Sequence, residues 1–154
     1  MNYRIVMTSS VEPDVRLAVL EDAARITRLS EQLGYPCTVA ETRKRLVEVI
    51  RNGEHAVLVA ESDGQLLGWI HVLVYHTLTA DTPGEIAGLV IDESHRSRGL
   101  GQLLMKHAEQ WARDKGCSAV RLRSNVVRAR AHAFYERLGY QVKKSQKVFW
   151  KDLG

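Results

Sequence analysis

The sequence predicts a mixed α/β fold, a mostly antiparallel central sheet with helices on both faces in the order βααβββαβαββ. Apolar residues recur at helical spacing in four segments, each closed by a glycine at 34, 53, 116 or 139. Runs rich in Val, Leu and Ile alternate with those helices as strands. The clearest helix follows a strand across a turn that holds Gly99 and Gly101. A chain of 154 residues can bury a substantial core without disulfides or metals, and one domain over 11–154 is expected.

Val15 to Val19 reads as a short strand, after which Ala23, Ile26, Leu29 and Leu33 keep helical spacing up to Gly34. Pro36 interrupts, and Thr38-Val39-Ala40-Glu41 has capping-box form, in which Thr38 and Glu41 satisfy each other's free amides. The helix it opens turns Leu46, Val47 and Ile50 inward and stops at Gly53. His55 to Glu61 and Gln65 to Tyr75 then form a hairpin around Ser62-Asp63-Gly64. Past the polar loop His76 to Pro83, Glu85 to Ile91 is a third strand of this sheet. The helix beyond the glycine turn carries Leu100, Leu103, Leu104, Ala108, Trp111 and Ala112 on one face. Ala119 to Leu122 is a strand, and the last helix places Ala131, Phe134, Tyr135 and Leu138 on one side. Val142 and Val148 to Trp150 are expected as two closing strands around the polar Lys143 to Lys147 turn.

A formal charge of +4 with a pI near 9.2 suits an anionic ligand but is too small an excess to demand nucleic acid. Cys37 and Cys117 lie far apart and in no metal-ligand spacing, which argues against a structural zinc and for reduced thiols in the cytoplasm. Residues 1–10 read as a disordered leader or an expression remnant. Their apolar stretch, Ile5 to Met7, is too brief for a secretory signal, and no run approaches the length of a membrane helix.

The chemistry is written first in Arg96-Ser97-Arg98-Gly99-Leu100-Gly101-Gln102. Its glycines remove side chains where backbone amides would approach a ligand, and a helix N-terminus offers unpaired N–H groups and partial positive charge to a diphosphate. Arg96 and Arg98 add charge at the mouth. A Walker loop would need Gly-Lys before Ser or Thr, and the dinucleotide fingerprint would need a small residue where Leu104 stands. By itself the segment is equally compatible with an ordinary tight turn.

Arg96-x-x-Gly99-x-Gly101 between a strand and a helix resembles motif A of the GNAT superfamily of N-acetyltransferases. Asn125, Ala131 and the run Phe134-Tyr135-Glu136-Arg137-Leu138-Gly139-Tyr140 resemble the family's next motif. The resemblance covers nearly the whole chain and implies acetyl-CoA as co-substrate, with no metal. It implies that the Glu85–Ile91 strand splays from the Ala119–Leu122 strand, with Gly88 marking a bulge and the pantetheine arm entering the gap. Main-chain groups of Leu89, Val90 and Ile91 would pair with the pantetheine amides, and an amide near Leu89 or Val90 would polarise the thioester carbonyl. Amides from Arg96 to Gly101, with Gln102, would hold the diphosphate. Asn125, Ala131 and Tyr135 would complete the cofactor contacts.

Two catalytic roles follow from the same resemblance. Tyr135 corresponds to the tyrosine that protonates the departing thiolate, although it also falls on an apolar stripe and reads as core without the family. Glu85 stands where histone-acetylating relatives carry their glutamate base. A base is useful because an alkylammonium, with a pKa of about 10.4, must lose a proton before it attacks. A strand-end carboxylate facing solvent describes Glu85 equally well. His55 reads as an ordinary strand-start histidine. The acceptor region, including Gly34 to Thr38, Trp69, Tyr75 and His76, carries no readable substrate code. A small-molecule amine is expected, with a protein lysine or N-terminus as the alternative acceptor. A non-catalytic acyl-CoA-binding domain, and a basic interaction module built on Arg121, Arg123, Arg128 and Arg130, are the alternatives of other classes. Paired subunits are common in such enzymes, but no segment specifies an interface.

Overall fold

A computed structural model of the chain describes residues 12–79 and 81–154, so the expected leader lies outside the described residues. The elements are strand β1 (Asp14–Leu17), helices α1 (Ala23–Glu31) and α2 (Val39–Arg51), and strands β2 (His55–Ser62), β3 (Gln65–Val74) and β4 (Gly84–Ile91). Helix α3 (Leu100–Asp114), strand β5 (Val120–Leu122) and helix α4 (Ala129–Arg137) complete them. The chain falls into two compact units, one ending at Arg123 and the other running over Ser124–Gly154.

In the first unit five strands form one sheet in the order β1-β2-β3-β4-β5, antiparallel throughout except for the parallel β4–β5 pair. Side chains alternate between its faces. The α3 face is apolar and closely packed: Leu104, Met105, Ala108 and Ala112 are buried, and Val74 packs with Ala112 and Cys117. A Cβ on Gly84 would come within 2.8 Å of the Ala112 Cβ, so that residue must be glycine for α3 to sit this close. On the other face α1 and α2 bury Ile26, Leu29 and Leu46 against Val57, Val59 and Val90.

Strand β1 is shorter than expected because Asp22 captures the chain. Its carboxylate is fully buried, receives the Val19 amide at 2.9 Å, and is bound by Arg16 at 2.8 and 3.0 Å and by Arg25 at 2.6 Å. Burial pushes this carboxyl up, but the Arg16 hydrogen bonds, the Val19 amide and the two guanidinium charges outweigh it, so the group stays below the usual carboxylate range. The capping box forms as expected, with the Glu41 amide donating to Thr38 Oγ1 at 3.2 Å and the Thr38 amide to Glu41 Oε2 at 2.8 Å. In α2 the inward stripe is Thr42, Leu46 and Val49. Ile50, expected inward, lies one position past that stripe and is exposed.

In the second unit α4 half-buries Ala131, Phe134, Tyr135 and Leu138 and ends at Gly139, which has a φ of +92°. The two closing strands expected near Val142 and Val148–Trp150 are absent: residues 140–154 carry no regular structure. Val142, Val148, Phe149 and Trp150 are exposed, and a short apolar run that finds no ladder partner has nothing to hold it as a strand.

Candidate active site

Three local distortions build the site in the first unit. Between His71 and Val72, β3 advances one residue while β4 moves from Gly88 to Ile86, leaving Ala87 as an extra residue. This is the bulge, immediately beside the glycine expected to mark it. Gly88 is needed there, because a Cβ would come within 2.9 Å of the Trp69 ring. The β4–β5 pairing ends at Ile86 and Leu122, after only three residue pairs. From Ala87 to Ile91 the strand runs on without β5, exposing main-chain donors and acceptors along one edge.

At the end of β4 the chain turns through Asp92, whose Oδ1 accepts the Ser94 amide at 3.0 Å and the Ser94 hydroxyl at 2.8 Å. The Glu93 amide donates to Gln32 Oε1 at 2.9 Å, which ties the end of α1 to this turn. Ser97 and Gly99 then adopt left-handed φ of +63° and +80° on either side of Arg98. Gly99 is the N-cap of α3 and has no side chain of its own to cap that end. Nothing lies within 4 Å of where its Cβ would be. The first amides of α3 have no carbonyl partner within the helix and the helix dipole lies behind them, which is the environment a diphosphate requires.

Across the sheet from α3, register brings a polar wall together. Trp69 stands opposite Val90, His71 opposite Gly88, Leu73 opposite Glu85, and Glu85 opposite Arg121. Glu85 Oε2 accepts from Arg121 Nε at 2.7 Å and its Oε1 lies 3.5 Å from Arg123 Nε, leaving the carboxylate only 13% exposed. Arg121 also stacks over Tyr75, its guanidinium carbon 3.9 Å from the ring centroid. His71 Nε2 sits 2.9 Å from His55 Nδ1. Burial, with the His55 charge second, pushes the His71 imidazolium down to about 4, so the ring is neutral at pH 7. The Trp69 Nε1 is the one buried side-chain nitrogen or oxygen among the described residues without a hydrogen-bond partner.

Leu89, Val90 and Ile91, the turn from Arg96 to Gln102, and Glu85 therefore all belong to this unit. Asn125, Ala131 and Tyr135 belong to the second. There Asn125 Oδ1 accepts the Val127 amide at 3.2 Å and its carbonyl accepts the Arg128 amide at 3.0 Å, shaping the entry to α4. Tyr135 packs edge-on against Phe134 and Tyr140. Burial pushes its phenol up, and the Arg128 charge offsets this only in part. Sequence reasoning missed His71, because its partnership with His55 exists only once the β2–β3 register is known.

A backbone cradle at the end of a strand that parts from its neighbour suits an acyltransferase of the coenzyme A-using class. Residues 20–140 match the Acetyltransferase (GNAT) family, and the chain belongs to it and is an N-acetyltransferase. An uncharacterized N-acetyltransferase of Chlorobaculum tepidum is 30% identical over 143 residues, 90% of this chain and 83% of that protein. The aminoalkylphosphonate N-acetyltransferase of Salmonella typhimurium is 35% identical over 84 residues, 54% of each chain. The same fold occurs in AAC(6')-Iy, solved in complex with the bisubstrate analog CoA-S-monomethyl-acetylneamine. Its TM-score is 0.81 at 17% identity, over 91% of this chain and 98% of that one. Among the described residues no helix is long and apolar enough to cross a membrane.

Proposed function

We propose that the chain moves the acetyl group of acetyl-CoA to the primary amine of a small molecule, by direct attack while both are bound. One observation carries this reading: the start of α3 behind left-handed Gly99, set at the end of the strand edge that β5 leaves open. Amides from Arg96 to Gly101, with Gln102, would hold the diphosphate. The main chain of Leu89, Val90 and Ile91 would pair with the pantetheine amides along the free edge. When bound there, acetyl-CoA supplies an activated thioester carbonyl. A main-chain amide at Leu89 or Val90 would donate to that carbonyl oxygen.

Asn125, Ala131 and Tyr135 join the set through the family pattern. The raised pKa of Tyr135 keeps its hydroxyl protonated at neutral pH, the state needed to give a proton to a departing thiolate. To act as the base, Glu85 would have to give up two guanidinium partners, so we assign it instead to holding Arg121 and Arg123 at the foot of the splay. A small-molecule acceptor is supported by the aminoalkylphosphonate relative and by the neamine part of the AAC(6')-Iy complex.

The test is a melting curve with and without acetyl-CoA, followed by coenzyme A release with an aminoalkylphosphonate, an aminoglycoside and a lysine peptide. The expected result is stabilisation by acetyl-CoA and release with a small amine. Release with the peptide alone moves the acceptor to protein. Stabilisation without any release favours a binding domain, and no stabilisation overturns the reading.

A further inference from the structure

We propose that His71 and His55 form a two-imidazole proton relay that carries the acceptor amine's proton from the bulge of β4 out to solvent at the start of β2. The inference rests on the acetyl-CoA reading above, since that places the reacting carbonyl beside Leu89 and Val90.

His71 lies directly across the ladder from Gly88, at the bulge where β4 parts from β5. Opposed residues in a ladder have Cβ positions roughly 5 Å apart, and the Trp69 ring, two residues before His71 on the same face, lies over the bare Cα of Gly88. The imidazole therefore stands next to the expected thioester position, on the same face as Trp69 and Val90. Its Nε2 is committed to His55 Nδ1 at 2.9 Å, with ring centroids 5.2 Å apart. Among the described residues no hydrogen-bond partner is recorded for His71 Nδ1 or for His55 Nε2. One free nitrogen is left at each end of the pair.

The transfer balances in three moves. An N–H bond of the substrate ammonium breaks, its electron pair stays on nitrogen, and the proton binds the lone pair of His71 Nδ1. The proton already on His71 Nε2 passes to His55 Nδ1, and the proton on His55 Nε2 leaves to water. Each ring ends neutral in its other tautomer and resets by solvent exchange before the next turnover. The second ring is required because burial disfavours a positive charge held on His71. A single imidazole there would be a poor store for a proton, whereas a pair only passes it on.

The other charged groups on this face are Glu85 on β4 with Arg121 and Arg123 on β5, and Glu61 on β2 and Asp22 before α1 with Arg16 on β1 and Arg25 on α1, and within each set the carboxylates are engaged by the guanidinium groups. From α1 and α2 the face receives Ile26, Leu29 and Leu46, with the buried hydroxyls of Thr27 and Thr42 bonded to each other behind them. Each carboxylate of this face is held by a guanidinium, and Glu54, beside His55 in the chain, pairs with His76, so none of them is bonded to His71.

The test uses the full chain with an aminoalkylphosphonate and with neamine as acceptors, and 15N-histidine spectra that need no acceptor. His71→Gln is expected to lower kcat/KM at pH 7 by about 100-fold, and His55→Gln by about 10-fold, both deficits closing as pH approaches 10 and the amine loses its proton unaided. Acetyl-CoA should stabilise both variants as it does the parent, which shows that they fold and separates this test from the cofactor reading. The spectra should show His71 protonated on Nε2 and bare on Nδ1. Unchanged activity at pH 7, a deficit independent of pH, or a proton on His71 Nδ1 in the resting enzyme would each overturn the relay. Loss of acetyl-CoA stabilisation in the parent would overturn the cofactor reading instead.

Discussion

The two ends of β4 build their sites from different materials. Toward Ile91 the chain offers backbone: an open strand edge, two left-handed residues and the bare amides of α3. Toward Glu85 it offers side chains from four strands, with His55, His71, Glu85, Arg121 and Tyr75 locked in contacts that only the strand register creates. The backbone end suits a ligand that every member of a family shares, because a diphosphate needs amides and a dipole rather than any particular side chain. The side-chain end offers particular side chains instead, and on the function proposed above the acceptor would be chosen there.

The support of the two ends should differ when broken. The largest effect is expected at Leu104, fully buried on the α3 face that carries the cradle. Leu104→Ala should cost about 2–5 kcal/mol in denaturant unfolding and lower the melting temperature with it. Tyr135→Phe should reduce turnover by about 100-fold while acetyl-CoA binding, measured by calorimetry, stays nearly unchanged. Equal turnover would remove the phenol as the acid. At the junction between the two ends, Gly88→Ala forces a Cβ within 2.9 Å of the Trp69 ring. Overpacking of that kind costs about 1–3 kcal/mol, and the displaced indole should show as a shift in tryptophan fluorescence.

The smallest effect separates the ends by pH. In the folded chain His71 titrates at about 4, below its ordinary value of 6.5, so between those values the unfolded chain holds more protons. The contribution to stability is complete above about pH 6.5 and is lost as pH falls toward 4, with a slope of at most about one proton. His71→Gln should flatten that part of the stability curve. An unchanged slope would mean the imidazole is not held neutral by burial.

This difference in materials also explains what could be read from the sequence. Gly99 and Gly101 announce the cradle because glycine is the residue that lets a backbone approach a ligand, and Gly88 announces the bulge. The capping box at Thr38 and Glu41 and the apolar stripe of α3 are local patterns, and both form. What depends on register was hidden. His55 and His71 are sixteen positions apart and nothing local links them. Glu85 read as a base or a solvated carboxylate because the pairing of β4 with Arg121 on β5 cannot be seen in either strand alone. The Val148–Trp150 run has strand character, but a strand exists only where another edge accepts it.

The measurement closest to the central claim is acetyl-CoA stabilisation of the parent chain set beside Gly99→Val. At one hundred times its dissociation constant the cofactor should add about 2.7 kcal/mol to the parent. The valine has open space around its Cβ, but a φ of +80° costs it about 1–2 kcal/mol, and relaxing to a negative φ turns the α3 amides out of line. The variant should therefore fold and gain little from the cofactor. A parent that saturating acetyl-CoA leaves unstabilised, or a valine variant stabilised as fully as the parent, would contradict a backbone cradle at the head of α3.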